Sequence, residues 1–160
     1  MWQEFTQALE DLSDAYTALL DIGSRKRAVL VAVDLKGLEP LVEEEEQQLE
    51  RIRAAENRRR DALLALSKDI PSSHSAATMA EVESACPAEF RPALRAANQR
   101  LTKQVNAAQE AGEFNEFLIR SALGAVEYHL NRLSNSSINP TYGQKGQEGV
   151  TREKKFDFQA

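Results

Sequence analysis

Apolar residues recur at alternating intervals of three and four along the first fifth of the chain. They stand at Trp2, Phe5, Leu9, Leu12, Tyr16, Leu19, Leu30 and Val33. This spacing places them on one face of an α-helix, as in the seam of a coiled coil. Two positions of the same seam, Gly23 and Lys26, are not apolar. The pattern therefore predicts one long helix from Trp2 to Val33.

A turn and a second long helix follow. Asp34 is a favourable helix N-cap and Gly37 relieves backbone strain, so residues 34–37 read as the turn. The second helix is predicted from Leu38 to Ser67, with apolar seam residues at both ends and polar ones in the middle. Pro40 is tolerated there if it falls in the first turn. The two helices are expected to form an antiparallel hairpin.

Charge complementarity supports one register of that hairpin. Equal rise along both helices makes the numbers of paired residues sum to roughly 73. Lys26 then faces the stretch from Glu45 to Gln48, and Asp14 faces Arg59. Such pairs are either surface contacts that contribute little to stability or polar seam residues that fix the register of the hairpin.

A short helix and a much longer one complete the fold. Residues 70–75 have a loop composition, and Thr78 with Glu81 forms a capping-box pattern that opens a helix to about Ala85. Pro87 suits the first position of the last helix, which is predicted to reach Leu133, with Gly112 as a possible bend. The fold class is all-α: a long antiparallel hairpin plus a long third helix.

The second half of the last helix carries more apolar residues than one packing stripe needs. They spread over roughly 240° of the helix surface, whereas packing against one hairpin requires a stripe of about 100° or a little more. The surplus is expected to be buried by something outside this bundle. The candidate binding residues are Phe114, Phe117, Leu118, Ile119, Leu123, Val126, Leu130 and Leu133.

The chain changes character after Leu133. Residues 134–160 hold three of the seven glycines and little periodicity, so they are predicted to form a flexible C-terminal tail behind a helical domain of residues 1–133. The tail nevertheless contains Tyr142, followed by Gly143, and two aromatic residues near its end, Phe156 and Phe158. Isolated aromatics in such a tail are often contact motifs.

Composition excludes several classes of function. The net charge of -5 argues against nucleic-acid binding, because the basic run at residues 58–60 is interspersed with acidic residues. A single cysteine excludes an internal disulfide. The N-terminus lacks the pattern of a signal peptide, and no apolar stretch of about 18 residues could span a membrane. A soluble, cytoplasmic protein is expected.

Catalytic and metal-binding patterns are also missing from the sequence. A di-iron bundle needs a glutamate three residues before a histidine, but Pro71 precedes His74 and Val126 precedes His129 at that interval. There is no phosphate-binding glycine loop and no setting for a serine or cysteine nucleophile. The sequence predicts no enzyme, no metal and no cofactor.

The order of these features resembles a known family. The features are Lys26, Leu30, Asp34, Leu38, Glu45, Leu49 and Arg59 in the hairpin, then Asn115-Glu116-Phe117-Leu118, Ser121 and Leu123, and finally Pro140-Thr141-Tyr142-Gly143-Gln144-Lys145-Gly146. This succession is similar to the FlgN family of flagellar export chaperones. The helical part is weakly specific by itself, whereas Asn115-x-x-Leu118 combined with Tyr142-Gly143 is much more specific.

The resemblance implies a cytoplasmic chaperone for the hook-associated proteins of the hook–filament junction. Such a chaperone binds the C-terminal helical segments of these proteins, prevents premature polymerisation and delivers them to the type III export gate. In members of that family the C-terminal part of the chain recognises the cargo, which fits the surplus apolar residues at positions 114–133. A tail tyrosine docks on the membrane export-gate protein, and Tyr142, with Gly143, matches that motif.

Two other functions remain open at the level of sequence. A self-associating structural coiled coil could bury the same apolar residues in a homo-oligomer, although the polar middles of both seams lower the stability of a long zipper. The same face could also form a homo-oligomer of the chaperone without cargo. A ferritin-like enzyme is the second of these other functions, although the glutamate–histidine spacing that it needs is missing.

Overall fold

The computed structural model describes residues 1–67, 70 and 77–136, and within them the chain forms four helices and no strand. These are α1 (Trp2–Val31), α2 (Leu35–Ala65), α3 (Met79–Ala85) and α4 (Arg91–Ser136). The all-α prediction, with a long hairpin and a long further helix, is confirmed. The chain divides into two compact units, Met1–Ala125 and Val126–Ala160.

The turn between α1 and α2 joins two capping motifs back to back. The backbone N–H of Asp34 donates to the Val29 carbonyl (2.9 Å), and that of Val33 donates to the Leu30 carbonyl (3.2 Å), which is the hydrogen-bond pattern of a Schellman motif. Asp34 then caps α2, because its carboxylate accepts from the Gly37 N–H at 3.0 Å. The predicted N-cap is confirmed.

Glycine is needed at position 37 because of this cap. A Cβ at Gly37 would overlap the Asp34 carboxylate. The helix begins at Leu35, three residues before the predicted Leu38, so Pro40 is its sixth residue and not part of its first turn. Pro40 cannot donate to the carbonyl of Lys36, but both residues are exposed to water, which can satisfy that carbonyl.

The hairpin is antiparallel, and one of its two predicted charge pairs is present. Lys26 forms an ion pair with Glu45, as expected. The pairing of Asp14 with Arg59 was wrong, because Asp14 bonds to Arg100 of α4 at 2.6 Å. Arg59 turns instead to Glu56 on its own helix, and this hydrogen bond lowers the pKa of the Glu56 carboxyl.

The third helix and the start of α4 are fixed by local contacts. Thr78 and Glu81 form the predicted capping box, and α3 ends at Ala85 as expected. Residues 88–90 form a turn, so α4 begins at Arg91 and not at Pro87. It continues through Gly112 without interruption and ends at Ser136, three residues beyond the predicted Leu133.

The main core lies where α3 closes over the ends of the other helices. We call these buried side chains the Leu94 cluster: Phe5, Leu9, Leu63, Leu66, Ile70, Val82, Cys86, Leu94 and Ala97. Trp2, Met79, Phe90 and Leu101 pack against it. Residues from both hairpin helices, α3 and α4 meet here, so each apolar side chain has neighbours on several sides.

Along the hairpin, α4 runs in the same direction as α1. Arg100 contacts Asp14, and further along both helices Asn115 contacts Gly23. A second, smaller cluster of Leu12, Ile52 and Ala55 packs against Leu101 of α4. Residues 91–119 of α4 thus contact the hairpin through both long helices at one end and chiefly through α1 further along.

Candidate functional site

Within residues 1–125, the apolar side chains of α4 from position 114 onward are not all covered. Phe117 is 62% exposed, Leu123 is 63% exposed and Phe114 is 45% exposed. Leu118 and Ile119 are half-buried. We call these five residues the α4 apolar face. The predicted candidate set therefore divides into three exposed and two partly covered side chains in this unit.

The two phenylalanines form a local aromatic pair. Their ring centroids lie 6.4 Å apart with the planes inclined by 36°. The Arg27 guanidinium of α1 lies 4.4 Å from the centroid of the Phe114 ring, a cation–π contact. Phe114 is therefore partly held by α1, whereas Phe117 has most of its surface in solvent.

The second unit carries the other three candidates on the last part of α4. Val126, Leu130 and Leu133 are all exposed, as is Tyr128. The Tyr128 ring stands edge-on to the His129 imidazole, with 5.6 Å between the centroids. Every side chain described between positions 126 and 134 is exposed. The two remaining predicted site residues, Tyr142 and Gly143, lie outside the described residues.

A cleft lies beside the partly covered edge of the α4 apolar face. It has a volume of about 210 Å³, and we call it the Gly112 cleft. It is bounded on α1 by Leu19, Leu20, Gly23 and Lys26, on α2 by Glu45, and on α4 by Ala108, Ala111, Gly112, Asn115, Glu116 and Ile119. Its walls are chiefly apolar, and small residues on α1 and α4 keep the space between the helices open.

Asn115 is the buried polar residue of α4 that lines this cleft. Its side-chain amide donates to the backbone carbonyl of Gly23 at 2.8 Å. Its other polar atom, Oδ1, is buried and has no hydrogen-bond partner among the described residues. Sequence reasoning did not connect Asn115 with Gly23. It noted Gly23 as a non-apolar seam position and Asn115 as part of the motif that carries the family resemblance.

Polar contacts hold the hairpin together next to the cleft. Lys26 and Glu45 pair with side chains only 12% and 30% exposed. Arg25 reaches Glu44 through two hydrogen bonds of 2.9 and 2.5 Å, which lower the pKa of the Glu44 carboxyl. Deeper in the hairpin, Gln48 donates to the Ala15 carbonyl at 2.8 Å. These contacts explain why both seams become polar at mid-length.

The described part of the chain offers neither a membrane span nor a group of metal ligands. None of its helices is long and apolar enough to cross a membrane. Across residues 1–67, 70 and 77–136, no three or more histidine, cysteine, aspartate or glutamate side chains are grouped as metal ligands would be.

Comparison with known proteins gives one match. The family model described as FlgN protein matches residues 1–149. No curated protein and no solved structure matches the chain. The family match covers the hairpin, α3, all of α4 and the Tyr142-Gly143 segment, so the chain belongs to the FlgN family of flagellar type III export chaperones.

Proposed function

We propose that this protein binds amphipathic helical segments at the C-termini of the hook-associated proteins of the hook–filament junction. Bound in this way, the cargo is kept unpolymerised in the cytoplasm until it is delivered to the export gate. The observation that carries the proposal is the exposure of Phe117 and Leu123, each more than half open to solvent on a well-formed helix.

Burial of such residues supplies the affinity. Removing apolar surface from water is worth roughly 25 cal/mol per Å², and aromatic side chains contribute the largest areas. An amphipathic partner helix laid on an exposed apolar helix face is a recurring mode of peptide recognition. The α4 apolar face offers the aromatic and leucine anchors that this mode uses.

Binding of this kind covers the cargo residues through which cargo molecules would polymerise. A helix that buries its apolar face against α4 cannot offer that face to another copy of itself. The proposal is of a binding protein that carries out no reaction and uses no cofactor.

Docking on the export-gate protein is proposed for Tyr142 and Gly143. The support is the family match, which extends through residue 149 and so includes this pair. The pair lies outside the residues proposed for cargo. Cargo binding and gate docking can therefore be separated by substitution.

Calorimetry with a synthetic C-terminal peptide of each hook-associated protein tests the cargo step. The double variant Phe117→Ala with Leu123→Ala should weaken binding by at least about tenfold, because truncation of central anchors commonly costs more than about 1.4 kcal/mol. Leu49→Ala with Leu64→Ala is the matched control, since these leucines are also exposed but lie on α2. Equal affinities for the two double variants would contradict the proposal.

Secretion by whole cells tests the gate step in the same set of variants. Tyr142→Ala should leave peptide affinity unchanged and reduce export of the hook-associated proteins. Normal export by this variant would remove Tyr142 from the docking role without affecting the cargo proposal.

Self-association is the competing function, because the same exposed side chains could bury one another in a homo-oligomer. Light scattering distinguishes cargo binding from self-association. If added peptide lowers the measured mass to that of one chain with one peptide, cargo binding is supported. A stoichiometric oligomer that excludes the peptide would favour the structural coiled coil.

A further inference from the structure

The Gly112 cleft lies at one end of a regular seam along α4. Gly112, Glu116, Ile119 and Leu123 follow one another at intervals of four, three and four residues. Residues at these intervals share one helix face, which is the pattern that a second helix recognises with knobs in holes.

Gly112 makes a hole at the start of that seam. A Cβ built at Gly112 meets no atom within 4 Å, so the space beside it is open. The cleft of about 210 Å³ is larger than the apolar cavity of about 150 Å³ that accepts benzene in another protein. It therefore has room for one bulky side chain of a partner.

The chemistry of the cleft selects the kind of side chain. Its walls include Leu19, Leu20 and Ile119, which favour an apolar body. Asn115, 4% exposed, lines the cleft and has a buried acceptor, Oδ1, without a partner among the described residues. A buried acceptor without a donor is unfavourable, so a side chain that brings an N–H or O–H gains more there than a purely apolar one.

We propose that the Gly112 cleft is the anchor pocket for a tyrosine or tryptophan on the cargo helix. This inference rests on the proposed function, because it assumes that the occupant of the seam is a cargo helix. An amphipathic helix packed along Leu123 and Ile119 continues past Glu116 and places one side chain beside Gly112, at the start of the seam. The ring fills the cleft, and a small shift of the Asn115 side chain brings its buried Oδ1 into contact with the polar hydrogen of the ring.

Substitution at Gly112 provides the first test. Gly112→Leu fills the cleft from within, and it should weaken binding of the C-terminal hook-associated peptide by at least about tenfold. The melting temperature of the free variant should rise by about 2–4 °C, because leucine replaces glycine inside a helix. Gly112→Ala is the matched control. Alanine also raises the helix propensity at this position but leaves most of the cleft open, so the affinity for the peptide should stay within about threefold of wild type.

Cysteine protection provides the second test in the full-length chain. Gly112→Cys places a thiol in the cleft, where maleimide should modify it, while the native Cys86 is buried and desolvation raises the pKa of its thiol. A saturating C-terminal peptide should slow modification of the introduced thiol at least about tenfold. Thr102→Cys, at an exposed position on α4, should react at the same rate with and without peptide.

The outcomes separate this inference from the proposed function. If the wild type does not bind the peptide, the proposed function fails. If the wild type binds, but Gly112→Leu binds equally well and the thiol of Gly112→Cys is not protected, the cleft is not the anchor pocket and the cargo proposal stands.

Two other occupants would also overturn the inference. Protection of the thiol in Gly112→Cys that rises with protein concentration alone would identify a second copy of the chain. Faster modification of that thiol after Phe156→Ala with Phe158→Ala, without peptide, would identify the chain's own C-terminal segment.

Discussion

The Leu94 cluster and the α4 apolar face use similar residues to opposite effect. Both contain phenylalanine and leucine on helices with regular spacing. Leu94 is completely buried, because side chains of α1, α2 and α3 surround it. Phe117 remains 62% exposed, because α3 packs at the Leu94 cluster and leaves this part of α4 uncovered. Its ring pairs with that of Phe114 on the same helix.

The difference shows that the number of surrounding helices decides whether an apolar helix face is buried or stays exposed. A helix buries one stripe against a single neighbour and needs further neighbours for the rest of its surface. Four helices converge at the Leu94 cluster, so it stabilises the fold. The α4 apolar face keeps exposed apolar surface, which is the surface that we propose binds cargo.

Leu94→Ala should have the largest effect on stability. Removing a completely buried leucine leaves a cavity that surrounding helices fill only in part, at a cost of about 2–5 kcal/mol in the free energy of unfolding. Urea denaturation followed by circular dichroism measures this loss. Leu94→Met, which conserves volume, should cost less than about 1.5 kcal/mol. A small loss for Leu94→Ala would mean that this end of the bundle is loosely packed.

Val33→Gly should have an intermediate effect on the free energy of unfolding, and it should stabilise the protein. Val33 is exposed, so burial contributes little, but its φ of 55° is unfavourable for a β-branched residue. Glycine at this Schellman position should raise the free energy of unfolding by about 1 kcal/mol. Val31→Gly is the control: Val31 is equally exposed but helical, so the same change should destabilise the protein slightly. A loss of stability in Val33→Gly would mean that the turn gains nothing from glycine.

Phe117→Ala should have the smallest effect on stability. The ring is 62% exposed, so its loss should change the free energy of unfolding by no more than about 0.5 kcal/mol. The same urea titration measures it beside Leu94→Ala. A loss as large as that of Leu94→Ala would show that Phe117 belongs to the core, and the contrast between the two regions would disappear.

The helices themselves could be predicted from the sequence with small errors at their ends. Alternating intervals of three and four located α1, and local capping residues located its turn and the start of α3. The first residues of α2 and α4 were each misplaced by a few positions. Proline at 40 and 87 was given too much weight, because α2 accommodates Pro40 one turn further in and a turn precedes α4.

The partners of individual side chains were harder to predict. Lys26 and Glu45 could be paired because both lie in one hairpin with a short turn. Asp14 could not be assigned, because its choice between Arg59 and Arg100 depends on where α4 packs. The Gly112 cleft was missed for the same reason, since its residues come from three helices that are far apart in sequence.

The amino-acid sequence alone determined the helical elements, their caps and the surplus of apolar residues in the second half of α4. These follow from hydrogen bonds and side-chain intervals within a few residues of one another. Only the tertiary structure decided which of those apolar residues stay exposed and that Gly23 and Asn115 meet beside an open cleft. Such outcomes depend on packing between distant segments, which local periodicity does not encode.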